Sequence, residues 1–195
     1  MDRHTTRATA RELTFKRIQD TTADDWAIIA TRPDTKLFEE LPDRLLGALR
    51  FLETVDFYTV NGLEHSLQAG TRALRDGRRA EYVVAALLHD VGDLVGPRNH
   101  AAVAASILRP YVSERIAWII EHHTVFQFNH FGRHIGIDPD MRDAYLGHPY
   151  YEDAAEFVDL YDSASFDASY ESLPLEEFEP LLRQVFVSTE RSTVR

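Results

Sequence analysis

Apolar residues recur at helical spacing along most of the chain. In residues 43–55, Leu45, Leu46, Leu49 and Leu52 return every three to four positions, as they do on one face of an α-helix. The same spacing predicts further helices over residues 63–76, 80–91, 100–108, 114–123, 138–145, 149–162 and 174–187. No segment has the alternation of a convincing strand, so we predict an all-α bundle of roughly eight or nine helices.

The same pattern predicts the domain organisation. Residues 1–42 are expected to form an N-terminal arm with an approach helix at 13–26, residues 43–188 the main domain, and residues 189–195 a C-terminal tail. A length of 195 residues favours a single compact domain. No apolar run reaches ~18 residues and the N-terminus is polar, so we expect neither a membrane span nor a signal region.

Composition narrows the function. The net charge of −11 disfavours a nucleic-acid partner, which would require a basic face. A small-molecule substrate, even an anionic one, remains compatible because a local pocket can be positive on an acidic protein. The absence of cysteine excludes disulfides and cysteine-based zinc sites, and it favours a cytoplasmic location.

The strongest chemical signal is the pair His89-Asp90 at the end of the apolar run 83–88. Burying two adjacent polar side chains costs on the order of several kcal/mol unless something pairs with them, and a metal ion is the simplest partner. Other polar residues in apolar surroundings, each in a different predicted helix, are His65, His100, His123 and Asp162. Nitrogen and oxygen ligands of this kind suit iron, manganese or zinc, and the two oxygens of Asp90 can bridge two ions.

This order of histidines and aspartates resembles the HD-domain superfamily over about residues 45–186. The matching stretches are Leu63-Glu-His-Ser-Leu-Gln68, Leu88-His-Asp-Val-Gly92, Asn99-His100, Glu121-His-His123 and Leu160-Tyr-Asp162. Within the superfamily, the chain is most similar to the mixed-valent diiron oxygenases that cleave organophosphonates, of the PhnZ and TmpB type. The resemblance implies an HD-domain helical bundle and, of the neighbours His122 and His123, favours His123 as the ligand.

The resemblance also implies a cofactor and a reaction. One iron of an Fe(II)/Fe(III) pair would be held by His65, His89, Asp90 and Asp162, and the other by Asp90, His100 and His123. O2 would be the co-substrate, and the hydroxyl-bearing carbon of a 1-hydroxyphosphonate would be oxidised with cleavage of the C–P bond. Such phosphonate catabolism allows for a 2-oxoglutarate-dependent hydroxylase that acts upstream in the same pathway.

Several positions depart from the PhnZ pattern. Val55 and Tyr58 occupy the places of its gating tyrosine and glutamate, and Asp93, Gln127 and Asp159 replace its phosphonate-binding basic residues. We therefore expect a different substrate contact set, in which basic groups meet an anionic end and aromatic faces meet a quaternary ammonium end. The candidates for substrate binding are Tyr58, Arg98, Gln127, His130, Arg133, His134 and Tyr161.

Two alternatives remain open. A metal-dependent phosphohydrolase is the commoner chemistry of the superfamily, and dinuclear hydrolases use similar ligand sets. Against it, few lysines or arginines surround the candidate ligands to neutralise the phosphates of a nucleotide. A non-catalytic metal or ligand sensor is disfavoured because all six candidate ligands are present.

Overall fold

The computed structural model describes residues 13–31 and 35–187 of the chain. Contacts along the chain divide it into two compact units, residues 1–39 and 40–195. The predicted arm at residues 1–12 and tail at 189–195 lie outside the described residues. No helix within the described residues combines the length and the apolar character that crossing a bilayer requires.

Among its described residues, the first unit contains the α-helices α1 (Ala23–Thr31) and α2 (Thr35–Glu39). The predicted approach helix at 13–26 is wrong, because α1 begins only at Ala23. The cause is a local cap: the Asp25 carboxylate accepts hydrogen bonds from the backbone and hydroxyl of Thr22, while the Thr22 hydroxyl accepts one from the Asp25 backbone. This reciprocal pairing defines a helix start.

The second unit is a helical bundle, and the all-α prediction is confirmed. Its helices are α3 (Leu41–Phe51), α4 (Gly62–Arg75), α5 (Ala80–Leu88), α6 (His100–Leu108), α7 (Glu114–Ile135), α8 (Tyr151–Phe157) and α9 (Glu179–Val187). Helix α5 is central because it packs against α4, α7 and α9. Its residues 83–88 are almost entirely buried, as expected of a helix that is apolar all round.

A short hairpin precedes α4, although no strand was expected. Strand β1 (Asp56–Phe57) pairs antiparallel with β2 (Val60–Asn61), and Tyr58 takes a left-handed conformation with φ of 51° in the turn. The Asn61 side chain then accepts a hydrogen bond from the Glu64 backbone at 2.8 Å. Because this cap fixes where α4 begins, it also fixes the position of His65 along the helix axis, in the first turn.

Helix α7 is longer than predicted. The Ser113 hydroxyl caps its first turn, and it runs without interruption to Gly136, whose φ of +75° ends it. The aromatic stretch at 125–134 therefore continues the helix that carries His123. Phe126 accounts for this continuity, since it is fully buried and packs against the rings of Trp118 and Tyr151.

The helix predicted at 149–162 changes its winding before it ends. Beyond α8, residues Val158–Asp162 form a π-helical turn, in which the Ser163 backbone donates to the Val158 carbonyl at 2.8 Å. The wider turn accommodates an extra residue, so that Tyr161 and Asp162 are both buried. The predicted helices at 138–145 and 174–187 are likewise shorter or composite, with 3₁₀ segments at Met141–Tyr145 and Leu175–Phe178.

Candidate metal centre

Two imidazoles and two carboxylates meet in the interior, between α4, α5 and the π-helical turn. The Nε2 atoms of His65 and His89 lie 3.0 Å apart. Asp90 Oδ2 lies 3.4 and 3.3 Å from these nitrogens, and Asp162 Oδ1 lies 3.4 and 3.6 Å from them. All four residues are buried, and we call them the inner group.

The second oxygen of Asp90 faces two more histidines. Asp90 Oδ1 lies 3.3 Å from His100 Nε2 and 3.3 Å from His123 Nε2, and these nitrogens are 3.2 Å apart. We call Asp90, His100 and His123 the outer group. It is the more open of the two, because the His100 side chain is 20% exposed.

Both groups have the dimensions of a coordination shell. With metal–ligand bonds of about 2.1 Å, ligand atoms lie about 3.0 Å apart at right angles and about 3.4 Å apart at tetrahedral angles. The distances from the histidine nitrogens to each other and to the carboxylate oxygens are 3.0 to 3.6 Å in the inner group and 3.2 to 3.3 Å in the outer group. The donor atoms present therefore fit one ion in each group, with the Asp90 carboxylate between them.

The backbone orients the two histidines of the inner group. His65 Nδ1 lies 3.0 Å from the carbonyl oxygen of Ser165, and His89 Nδ1 lies 2.7 Å from that of Ala86. A carbonyl only accepts hydrogen bonds, so each Nδ1 carries a proton and each Nε2 presents a lone pair. Two lone pairs 3.0 Å apart repel, and only a cation between them, a proton or a metal ion, removes this repulsion.

The outer group is arranged in the same way. His123 Nδ1 donates to the Ile120 carbonyl at 2.7 Å. His100 Nδ1 lies 3.4 Å from the Pro97 carbonyl and 3.3 Å from Asp93 Oδ1, which are both acceptors. Such partners on the remote nitrogen are typical of metal-binding histidines.

Two buried carboxylate oxygens lack hydrogen-bond donors. Within the described residues, Asp90 Oδ1 and Asp162 Oδ2 accept no hydrogen bond. The other oxygen of Asp162 accepts one from Gln127 Nε2 at 2.8 Å. A buried carboxylate oxygen without a donor is costly, and a metal ion would remove that cost.

The charged forms of the inner group stabilise one another. Burial disfavours the charged form of His89, but Asp90 and Asp162 outweigh it and raise the pKa of His89 well above its usual value. Burial likewise opposes ionisation of Asp162, but His65 and His89 hold the pKa of this carboxyl well below its usual range. The carboxylates therefore stay ionised, and without metal a proton on the imidazoles provides the balancing charge.

A close backbone contact positions His100. A methyl group at Gly92 would lie 2.7 Å from the Cα atom of His100, so the loop after α5 can approach α6 this closely only because residue 92 is glycine. The first residue of α6 is thereby brought within reach of Asp90.

Two of the candidate substrate residues, Gln127 and Tyr58, contact the inner group or its surroundings. Gln127 contacts Asp162 directly. The exposed ring of Tyr58 contacts Phe166 at a centroid distance of 5.6 Å, and Phe166 in turn lies 4.4 Å from the His65 ring. Tyr161 directs its hydroxyl elsewhere, to Asp76 and Arg78. Asp76 is eleven residues beyond His65, about 16 Å along α4 at 1.5 Å per residue.

The structure does not bring the three basic candidates on α7 to the ligands. His130, Arg133 and His134 lie on the exposed last turns of α7, between about 10 and 16 Å beyond His123 along the helix axis. His130 is paired there with Asp159 at 2.9 Å. Arg98 is exposed on the loop that leads into His100.

Sequence reasoning missed one polar residue of the site. Thr124 Oγ1 lies 3.0 Å from His100 Nε2 and 3.4 Å from His123 Nε2. The only available signal was that Thr124 follows a candidate ligand. The position of Thr124 next to His123 in the sequence does not show that α6 approaches α7. This approach is what brings the Thr124 hydroxyl to His100.

Comparison with known families gives one match. Residues 62–164 match the HD domain family. The matched range covers more than half of the chain and includes all six residues of the inner and outer groups. Comparison with curated proteins gives no match.

Substitution Gly92→Ala should disable the outer group selectively. The added methyl group would displace the backbone at His100, whereas His65 and Asp162 lie on other segments and His89 is held by its hydrogen bond to the Ala86 carbonyl. We expect the affinity for one ion to fall at least tenfold while the other ion is retained. Elemental analysis after equilibrium dialysis against zinc measures this change.

Gly96→Ala is the matched control in the same loop. The atoms nearest to its added methyl group belong to the side chains of Asn99 and Val103, which can move, so the metal content should equal that of the wild type. If Gly92→Ala also kept the full metal content, the assignment of His100 to the outer group would be wrong.

Stability of the metal-free protein should fall above neutral pH. Because folding raises the pKa of His89, its contribution is complete below the unfolded value of about 6.5 and is lost as the pH rises through the folded value. Urea unfolding from about pH 6 to about pH 9 should show this decline in chelator-treated protein and a smaller one with zinc. A metal-free stability that rises over this interval would contradict the coupling.

Proposed function

This chain belongs to the HD domain family, and from that premise we propose that it is a mixed-valent diiron oxygenase. Its substrate in this proposal is a small molecule with a hydroxyl-bearing carbon, best represented by a 1-hydroxyphosphonate. O2 oxidises that carbon and the adjacent C–P bond is cleaved. The setting that we propose is cytoplasmic phosphonate catabolism, downstream of a 2-oxoglutarate-dependent hydroxylase.

The observation that carries the proposal is the position of the Asp90 carboxylate. One of its oxygens faces His65 and His89, and the other faces His100 and His123 at 3.3 Å. In a mononuclear site, the two histidines of the outer group would have no ion to coordinate. A bridging carboxylate with histidines on both sides is what a pair of ions requires.

The donor set supports iron. Four imidazoles and two carboxylates, with no sulfur, form a nitrogen-rich set of intermediate character. Imidazole suits iron, zinc and copper, whereas magnesium and calcium prefer all-oxygen sets. The proposed ligands of one iron are His65, His89, Asp90 and Asp162, and those of the other are Asp90, His100 and His123.

When bound, the two irons supply the redox chemistry with O2 and the Lewis acidity that binds substrate oxygens. The chain itself fixes the ligands. Backbone carbonyls hold the Nδ1 protons, so that every Nε2 faces the centre before any ion arrives. Gln127 holds the Asp162 carboxylate in one orientation by donating to Oδ1. Burial of the inner group keeps water away from that half.

The substrate is proposed to approach the outer group. The imidazole of His100 is the most exposed of the four ligand rings, and Arg98 precedes it on an exposed loop, where its guanidinium can meet an anionic end. The exposed Tyr58 and the ring of Phe166 form an aromatic edge beside His65, where a quaternary ammonium end can make cation–π contacts.

A phosphohydrolase is the second candidate, because two ions bridged by a carboxylate also serve phosphoester hydrolysis. The residues around the proposed ligands favour a phosphohydrolase less than an oxygenase. The phosphates of a nucleotide require several cationic partners, and Arg98 is the only arginine or lysine within six residues of a proposed ligand in the sequence. Phosphate released without O2 would decide for this candidate.

The proposed function predicts a coupled iron signal. Anaerobically iron-loaded protein should show the half-integer-spin EPR signal and the Mössbauer spectrum of an Fe(II)/Fe(III) pair. Adding a 1-hydroxyphosphonate should perturb the signal, and O2 should then be consumed in proportion to the substrate. A magnetically isolated iron, or O2 uptake that no hydroxyphosphonate stimulates, would refute the oxygenase.

His123→Ala and His122→Ala form a matched pair on α7. His122 stacks on Trp118 at 4.1 Å and donates from Nδ1 to the Trp118 carbonyl, so its ring belongs to a different cluster. We expect His123→Ala to lose one iron and at least about 100-fold in rate, since even residues behind the ligands cost 10–100-fold. His122→Ala should keep both irons and a rate within about threefold of the wild type. Equal losses in the two variants would remove His123 from the proposed ligands.

A further inference from the structure

The Thr124 hydroxyl is a polar group at the centre that the proposed ligand set does not use. Thr124 is half-buried, and Oγ1 lies 3.0 Å from His100 Nε2 and 3.4 Å from His123 Nε2. These distances are comparable with the 3.2 Å between the two nitrogens themselves. The hydroxyl therefore borders the space in which the outer group would hold its ion.

The direction of this hydrogen bond follows from the partners of His100. The Pro97 carbonyl and the Asp93 carboxylate both lie near Nδ1 of His100, so this nitrogen carries the proton and Nε2 is an acceptor. Thr124 must then donate its hydroxyl proton to His100 Nε2. An ion that binds His100 needs the same lone pair, so binding of the ion and this hydrogen bond exclude each other.

Once an ion binds His100 Nε2, the Thr124 hydroxyl needs a different hydrogen-bond acceptor. The carbonyl of Ile120, one turn earlier on α7 and the nearest backbone alternative for a helical threonine, already accepts from His123 Nδ1. An oxygen that the ion itself brings is an acceptor on the side of the ion, because the outer group has only three protein ligands and leaves positions for others.

We propose that Thr124 is a specificity-determining residue, which donates a hydrogen bond to the oxyanion bound at the ion of the outer group. This inference rests on the proposed dinuclear centre and adds the group that selects its ligand. A neutral donor at this position favours a phosphonate or phosphate oxygen, which only accepts hydrogen bonds, over an ammonium group, which only donates them.

Removing the hydroxyl should change two affinities in opposite directions. Without the competing hydrogen bond on His100, metal should bind the outer group more tightly. Without the donor, an oxyanion should bind the loaded centre more weakly. A purely structural role for Thr124 would not produce this opposition, because a distorted site loses both affinities.

The test uses Thr124→Val, which keeps the branched shape, with Thr124→Ser as the control that keeps the hydroxyl. Cobalt(II) titration followed by visible absorption measures metal binding, and inorganic phosphate is then titrated into the cobalt-loaded protein. We expect Thr124→Val to bind the second cobalt a few-fold more tightly and phosphate about tenfold more weakly. Thr124→Ser should match the wild type in its affinities for cobalt and phosphate. If Thr124→Val does not fold, Thr124→Ala serves as a second variant without the hydroxyl.

Each other outcome has a distinct meaning. Weaker cobalt binding in both hydroxyl-free variants would make Thr124 a ligand or a structural support of the site, and either result would overturn the proposal. Unchanged phosphate affinity would also overturn it. If the wild type bound only one cobalt, the dinuclear centre itself would be wrong, and this failure is distinguishable because it precedes any comparison of variants.

Discussion

The rest of the structure depends on the convergence of lone pairs in a buried space. The Nε2 lone pairs of neutral His65 and His89 face each other at 3.0 Å, and two carboxylate oxygens of the site, one on Asp90 and one on Asp162, lack donors. Such an arrangement is unfavourable unless a cation occupies it. The raised pKa of His89 expresses the same constraint, because the protein binds a proton where a metal would otherwise bind.

The arrangement of the helices holds these lone pairs together. Helix α5 is buried from Val83 to Leu88 and leads into the pair His89-Asp90, so the centre of the core carries the two central ligands. Four other segments each contribute one ligand to it: the first turn of α4, the first residue of α6, the middle of α7 and the π-helical turn after α8. Because every imidazole is held by a backbone carbonyl through Nδ1, the ligands are oriented by the fold itself.

The two groups differ in their access to solvent, and this difference underlies the proposed division of tasks. The inner group is closed, so that an ion there would have little freedom to exchange ligands. The outer group has fewer protein ligands, an exposed edge at His100 and the Thr124 hydroxyl beside it. Exchangeable ligands are therefore expected on that side, where a small change in hydrogen bonding alters which ligand is bound.

The sequence by itself determined the fold class and the set of residues that meet. The helical period of the apolar positions and the six polar residues set among them required no knowledge of long-range contacts, because a buried histidine or aspartate without a partner is locally anomalous. Periodicity could not locate the start of α1, the continuation of α7 through its aromatic stretch, or the π-helical turn, since caps and packing against distant rings decide these. Only the tertiary structure decided that Tyr161 points to Asp76 while its neighbour Asp162 joins the inner group. It likewise decided that Thr124 reaches His100, because the approach of two helices is a property of the folded chain and not of either helix.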